Sequence, residues 1–157
     1  MNVRSATEAD VEPLARLWYD GWRDAHAEIL PAELGRLRTL DSLRDRLPAM
    51  LPSVRTIGAA GAPAGFHFVR ARELNQLYVA REARGAGVAA ALIEDAEARL
   101  RDAGVEIAWL ACAIGNDRAA RFYEKRGWRQ VGNVIEHVPI PDGTLALEVW
   151  RYEKRLG

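Results

Sequence analysis

The sequence predicts a mixed α/β fold, one sheet with helices on both sides, on three observations. Segments with apolar residues at helical spacing alternate with short runs of strand character. Two pairs of those runs are joined by turns short enough to make antiparallel hairpins. A further run ending Leu77-Tyr78-Val79 passes through Arg84-Gly85-Ala86-Gly87-Val88-Ala89 straight into a helix, the order that brings parallel strands into a sheet.

In chain order, Val3 to Ala6 is a short strand. Thr7 with Asp10 resembles a helix-opening box in which each side chain satisfies the other's free backbone donor. Val11, Leu14, Trp18 and Trp22 then recur at helical spacing and face a core. Pro31 suits the first turn of a second helix carrying Leu34, Leu37 and the stretch Leu40 to Leu47, ended by Pro48 and Pro52. The intervening loop, His26 to Leu30, is expected to be exposed. Val54 to Ala60 and Gly65 to Val69 form a hairpin across Gly61-Ala62-Pro63-Ala64, and Glu73 to Val79 is the next strand.

Ala89, Leu92, Ile93, Ala96 and Leu100 mark a helix that stops near Gly104. Val105 to Ala113 is almost continuously apolar, the pattern of a strand covered on both faces, and is expected to run parallel to the Glu73–Val79 strand. Asn116 or Asp117 can cap a helix bearing Ala119, Phe122, Tyr123 and Arg126, closed by Gly127. Gln130 to Val138 and Thr144 to Tyr152 flank a turn with Pro139, Pro141, Asp142 and Gly143. The expected order is β-α-α-β-β-β-α-β-α-β-β, one domain over residues 1–157.

Composition narrows the class of function. The chain has 157 residues, 49% hydrophobic and 28% charged, which fits a globular protein and not a disordered one. Its 22 basic and 22 acidic residues cancel, so no overall field draws in nucleic acid or an anionic membrane, and neither is an expected partner. No apolar run approaches bilayer length. The opening MNVRSATEAD lacks the apolar stretch of a secretory signal, and the lone Cys112 has no partner in the chain, so a reducing cytoplasm is the expected setting. His26, His67 and His137 match no metal-ligand spacing; each reads as structural or as an acceptor-pocket residue, and no metal is expected.

The junction at Arg84–Ala89 is suited to an anion. Glycines remove side chains where a ligand must touch backbone, and the following helix turns unpaired N–H groups and its positive dipole end to the same point. A Rossmann loop needs Gly-x-Gly-x-x-Gly after the first strand of a repeated βαβ array, whereas this loop follows several antiparallel strands. No Lys-Ser or Lys-Thr follows the glycines, which excludes the GxxxxGK[ST] phosphate loop.

Two motifs carry a family resemblance over essentially the full length. Arg84-Gly85-Ala86-Gly87-Val88-Ala89 fits the pattern Arg/Gln-x-x-Gly-x-Gly/Ala, and Asn116-Asp117-Arg118-Ala119-Ala120-Arg121-Phe122-Tyr123 with Gly127-Trp128 fits Asn-x-x-Ala-x-x-Phe-Tyr followed by Gly-Phe/Trp. The chain resembles the GNAT superfamily of acyl-CoA-dependent N-acyltransferases. The resemblance implies a three-layer fold with two central strands splayed to admit an acyl-CoA, with acetyl-CoA as donor cosubstrate. It also implies that the backbone of Arg84, Gly85, Ala86, Gly87, Val88 and Ala89 cradles the pyrophosphate. Leu77, Tyr78 and Val79 would flank the pantetheine arm, whose amides can pair with exposed backbone like an added strand. Asn116 would contact pantetheine or order water, besides capping its helix.

Acyl transfer to an amine needs a base for the ammonium and a proton for the leaving thiolate. By the resemblance Glu73, eleven positions before Arg84, is the candidate base. Tyr123 is the candidate acid, since a phenol with a pKa of ~10 stays protonated at neutral pH. Cys112 lies in an apolar strand with no histidine nearby in sequence and reads as an inert thiol, so direct transfer is expected. The resemblance puts the acceptor groove between the N-terminal helices and the last two strands, with Trp18, Trp22, His26 and residues 137–143 as candidate walls, although the spacing of Trp22 from Trp18 favours a core role. No acidic or basic cluster in the sequence announces the acceptor, which is left as a small-molecule or peptide amine. A noncatalytic acyl-CoA-binding module is the alternative reading, and the final hairpin offers an edge for a homodimer.

Overall fold

Alternating periodicity in the chain resolves into seven strands and five helices in the computed structural model, which describes residues 1–157. The strands are β1 (Val3–Ser5), β2 (Val54–Ile57), β3 (Gly65–Arg70), β4 (Glu73–Val79), β5 (Ile107–Ala113), β6 (Arg129–Ile140) and β7 (Gly143–Arg155). The helices are α1 (Val11–His26), α2 (Ala32–Leu37), α3 (Leu40–Met50), α4 (Val88–Asp102) and α5 (Asp117–Lys125). One sheet runs β1-β2-β3-β4-β5-β7-β6, antiparallel except for the parallel β4–β5 pair.

Burial splits the molecule into layers. Leu14 and Trp18 of α1 and Leu43 and Leu47 of α3 pack with Val54, Phe66 and Phe68 of the sheet. Ile93, Ala96 and Leu100 of α4 pack with Leu74, Ala108 and Leu110 on the opposite face, where Trp128 and Tyr152 close the cluster. Each fully buried side chain of this size contributes roughly 1.5–3 kcal/mol, so both helical layers are held chiefly by apolar burial.

The α1–α3 layer is fastened to the sheet by a buried carboxylate. Asp10 is fully buried and accepts from Arg4 Nη1 at 2.8 Å, Arg4 Nη2 at 3.0 Å, the Thr7 amide at 2.8 Å and the Gly61 amide at 2.9 Å. The expected box forms: the Thr7 side chain faces the Asp10 amide while the Asp10 carboxylate accepts from the Thr7 amide, and the Asp10 amide also donates to the Thr7 carbonyl at 2.9 Å.

Several expectations are corrected. The single helix after Pro31 is two: Arg38 leaves helical geometry with ψ 67°, and the Thr39 hydroxyl accepts from the Ser42 amide at 3.1 Å to start α3. Pro48 does not end α3, which runs on to Met50 because Leu47 and Met50 are anchored in the core. β2 stops at Ile57, short of Ala60. β5 starts at Ile107, since the Val105 amide is spent on the Leu100 carbonyl at 3.0 Å, and β5 is not covered throughout, Ile107 and Ala111 being exposed. The last hairpin is longer than expected and includes Pro139, which an edge strand tolerates because its N–H is not required.

Candidate active site at the strand splay

β4 and β5 meet in register at only one pair, Glu73 opposite Trp109, where the Trp109 amide also donates to the Arg72 carbonyl at 3.0 Å. Beyond it the strands diverge. β4 carries an extra residue there: Val69 faces Leu74 while Phe68 faces Gln76, so Asn75 is bulged. Such a bulge bends its strand and ends regular pairing. The wedge left between the strands is a cleft of about 970 Å³, walled by β4 and β5, the turn before α4, and α5.

At one end lies the Gly-rich turn. Gly85 (φ 82°) and Gly87 (φ 83°) adopt the left-handed conformation that disfavours a side chain, and a Cβ on either would meet nothing within 4 Å. The amides from Gly85 to Ala90 donate to no backbone carbonyl; the first helical bond is Ala91 to Gly87 at 3.0 Å. A row of free donors at a helix start, facing open space, favours an anion. Arg84 does not extend freely: its Nη2 donates to Asp24 at 2.8 Å, and Arg81 Nη2 donates to the other oxygen at 2.6 Å. Arg84, helped by Arg81, holds the Asp24 carboxyl below the usual carboxylate range.

Leu77, Tyr78, Val79, Arg84, Gly85, Gly87, Val88, Ala89, Asn116 and Tyr123 all line this cleft. Asn116 caps α5, its Oδ1 accepting from the Ala119 amide at 3.4 Å. Tyr123 is half-buried and packs edge-on to Phe122 and Trp128, with centroids at 5.5 and 6.3 Å. Burial raises its pKa, so the phenol keeps its proton. Cys112 is also on the wall, and burial pushes its thiol up to about 12.

Glu73 is not on the cleft wall. It lies at the closed end of the splay, 8% exposed, with Asn75 Nδ2 donating to its Oε1 at 3.0 Å and Arg70 Nη2 at 3.5 Å. Burial raises its pKa above the usual range. Through the bulge, Glu73, Gln76 and Tyr78 stand opposite Arg70, Phe68 and Phe66, so they share the sheet face toward α1 and α3.

Among the candidate acceptor walls, Trp18 and Trp22 are core residues, 1% and 7% exposed. His26 does reach the cleft, and burial lowers its pKa to about 4, so the ring is neutral at physiological pH. His67 is fully buried with Nε2 at 2.7 Å from Asp95, a structural role, and His137 is exposed on the edge strand β6. Sequence reasoning missed Gly21 and Asp24 of α1, both on the cleft. A glycine inside an otherwise strong helical pattern was the available signal.

Solved structures with the same architecture cover nearly the whole chain. A GCN5-related N-acetyltransferase from Rhodopseudomonas palustris superposes with a TM-score of 0.76 at 20% identity, over 98% of this chain and 94% of its own. The PaiA N-acetyltransferase from Thermoplasma acidophilum, in complex with coenzyme A, gives 0.67 at 20% identity over 98% of both chains. YncA from Salmonella typhimurium, a putative acetyltransferase with its cofactor acetyl-CoA, gives 0.71 at 15% identity over 100% of this chain and 94% of its own. At such identities the likeness shows the fold. No curated protein matches the sequence significantly. The profile of the Acetyltransferase (GNAT) family matches residues 13–128, a span that runs from α1 through the splayed strands and the Gly-rich turn to Trp128. A mixed sheet opened between β4 and β5, with free amides at the start of α4, is thus the frame on which that match falls, and the chain belongs to the GNAT acetyltransferase family.

Proposed function

We propose that the protein is an acetyl-CoA-dependent N-acetyltransferase that moves an acetyl group to a primary amine of a small molecule or peptide by direct transfer in a ternary complex. The observation that carries this reading is the cleft itself: a row of free amides at its α4 end and the protonated Tyr123 phenol on the same wall system. The fold neighbours from Thermoplasma and Salmonella were solved with coenzyme A and acetyl-CoA, which supports the donor.

The chain's residues then divide the work. The amides of Gly85 to Ala90 hold the pyrophosphate, Arg84 strengthens that end, and the unpaired β5-facing edge of Leu77, Tyr78 and Val79 hydrogen-bonds the pantetheine amides. Asn116 steadies the arm. Tyr123 protonates the sulfur as the C–S bond breaks. Glu73, on the acceptor face and with a raised pKa, receives the ammonium proton through water; the freed amine bonds to the acetyl carbon as the C–S bond breaks, and the second proton that the nitrogen then sheds replaces the one Tyr123 gave to the sulfur. Cys112, with its thiol pushed to about 12, carries no acyl group.

The test is thiol release from acetyl-CoA over a panel of amines, with the native chain beside Tyr123→Phe and Glu73→Gln. Acceptor-dependent release that drops about 10²-fold or more in Tyr123→Phe is expected, the usual worth of a positioned acid. Tight CoA binding without release for any amine would replace this reading with a noncatalytic acyl-CoA-binding module.

A further inference from the structure

Two guanidinium groups on the acceptor side of the sheet have no counter-charge. Arg38, at the end of α2, is only 6% exposed, and its backbone is held by its own amide on the Leu34 carbonyl at 3.0 Å and by Arg23 Nη2 on its carbonyl at 3.0 Å. Its side chain makes no ion pair and no hydrogen bond, and the charged or titrating group it feels most is the Tyr78 phenol. Arg46 of α3 lies over the Trp18 ring at 4.8 Å, again without a carboxylate partner. It is within electrostatic reach of two other guanidinium groups, Arg38 and Arg70, and of the Tyr78 phenol. The indole Nε1 of Trp18 beneath it is buried without an acceptor.

The acids that could have answered are committed elsewhere. Glu12 and Asp41 both pair with Arg44, and Glu73 is held by Asn75 and Arg70. Burying a guanidinium without an anion is unfavourable, and placing a second within its reach adds repulsion. A pair of guanidinium groups without a counter-charge suits an anionic oxygen group, whose geometry matches the guanidinium fork. Tyr78 ties this cluster to chemistry, because it borders the cleft and stands within reach of both arginines.

We infer that Arg38 and Arg46 form an anion subsite for the acceptor, which is therefore an amine bearing a carboxylate or phosphate a few bonds from its nitrogen. This rests on the transferase reading above for the word acceptor, but the binding of the anion does not. Arg46 lies over Trp18, in the helical layer that covers the sheet face of Phe66, Phe68 and Glu73, so one bound molecule would set its anion against the arginines and its amine toward the carboxylate.

The experiment compares three acceptors of similar reach: an α-amino acid, an aminoalkyl phosphate and the matching uncharged amine. At least one anionic acceptor is expected to exceed the uncharged amine in kcat/KM by roughly 10- to 100-fold, and whichever does identifies the group. Arg38→Met and Arg46→Met should raise KM for that acceptor by a similar factor while leaving KM for the uncharged amine and for acetyl-CoA nearly unchanged. Equal use of charged and uncharged amines, or equal losses for both in the variants, overturns the subsite. If no amine is turned over at all, the transferase reading fails and thermal unfolding decides the subsite separately. The same amino acid and aminoalkyl phosphate should then raise Tm of the native chain but not of Arg38→Met, and the absence of any rise in the native chain overturns it.

Discussion

Gly21 in α1 lies against the ring of Tyr78 in β4, so close that a Cβ on Gly21 would stand 2.7 Å from Tyr78 Cδ1. Ala in a helix interior is intrinsically better than Gly by about 1 kcal/mol, whereas forcing a methyl into a packed contact costs roughly 1–3 kcal/mol. The Tyr78 ring has little freedom to retreat, being stacked on Phe66 at 5.9 Å. Gly21→Ala is expected to lower Tm slightly and to weaken CoA binding more than that loss accounts for. Adding Tyr78→Leu should restore Tm, and thermal unfolding of the two variants checks the pair.

Gly87 and Gly104 stand just before and just after the same helix with nearly the same backbone, φ 83° and 84°, and a Cβ on either would meet nothing within 4 Å. Replacing each by Val imposes a similar left-handed strain of about 1–2 kcal/mol. Only Gly87 borders the cleft. Both variants should therefore lose comparable stability, while CoA affinity, measured by calorimetry, falls more than tenfold in Gly87→Val and stays near native in Gly104→Val. Equal affinities would show that the turn does not hold the pyrophosphate.

His26 sets a pH window. Burial lowers its folded pKa to about 4, against about 6.5 when unfolded. Between those values the unfolded chain binds the extra proton, so the stabilisation is complete above pH ~6.5, is lost as pH falls toward 4, and changes no further below that. His67 shifts the same way through burial, opposed by Asp95. Denaturant unfolding from pH 7 to 4 should show falling stability, and His26→Gln should remove part of the slope. The His26 ring protons, followed by NMR, should titrate near 4.

Glu97 is 8% exposed and accepts from Trp128 Nε1 at 3.1 Å and Lys154 Nζ at 2.8 Å, joining α4 to β7 and to the turn after α5. Glu97→Ala leaves the indole donor and the ammonium without their acceptor and is expected to cost about 3–5 kcal/mol. Glu97→Gln keeps an acceptor for Trp128 and should cost less. Chemical denaturation gives both numbers, and equal losses would assign the effect to the charge alone.

Much of the fold was legible because its signals are local. Asn116 caps α5 from within its own first turn, the Gly-rich turn carries its conformation in Gly85 and Gly87, and the short connection of residues 58–64 returns β3 antiparallel to β2. Arg38 and Thr39 show where local reading falls short. Leu34, Leu37, Leu40 and Leu47 keep a helical rhythm across a break that the Thr39 cap creates, and apolar spacing does not register a cap inside a continuing pattern.

Residue pairs distant in sequence were a different matter. The Gly-rich turn, the Asn116 and Tyr123 helix and the splay's flanking strands follow from neighbours within a few positions, where turn chemistry and helical period act. The one-pair contact of β4 with β5, the burial of Glu73 at its closed end, the clasp of Asp24 on Arg81 and Arg84, and the placing of Arg38 and Arg46 within electrostatic reach of Tyr78 depend on sheet register and on how α1 to α3 lie over it. Those arginines are spread among acids in a chain of zero net charge, so no run of sequence marks them as a cluster. Backbone conformation responds to adjacent residues, whereas the field at a site sums over whatever packing brings within a few ångströms, and that sum exists once the sheet and its helical layer have closed.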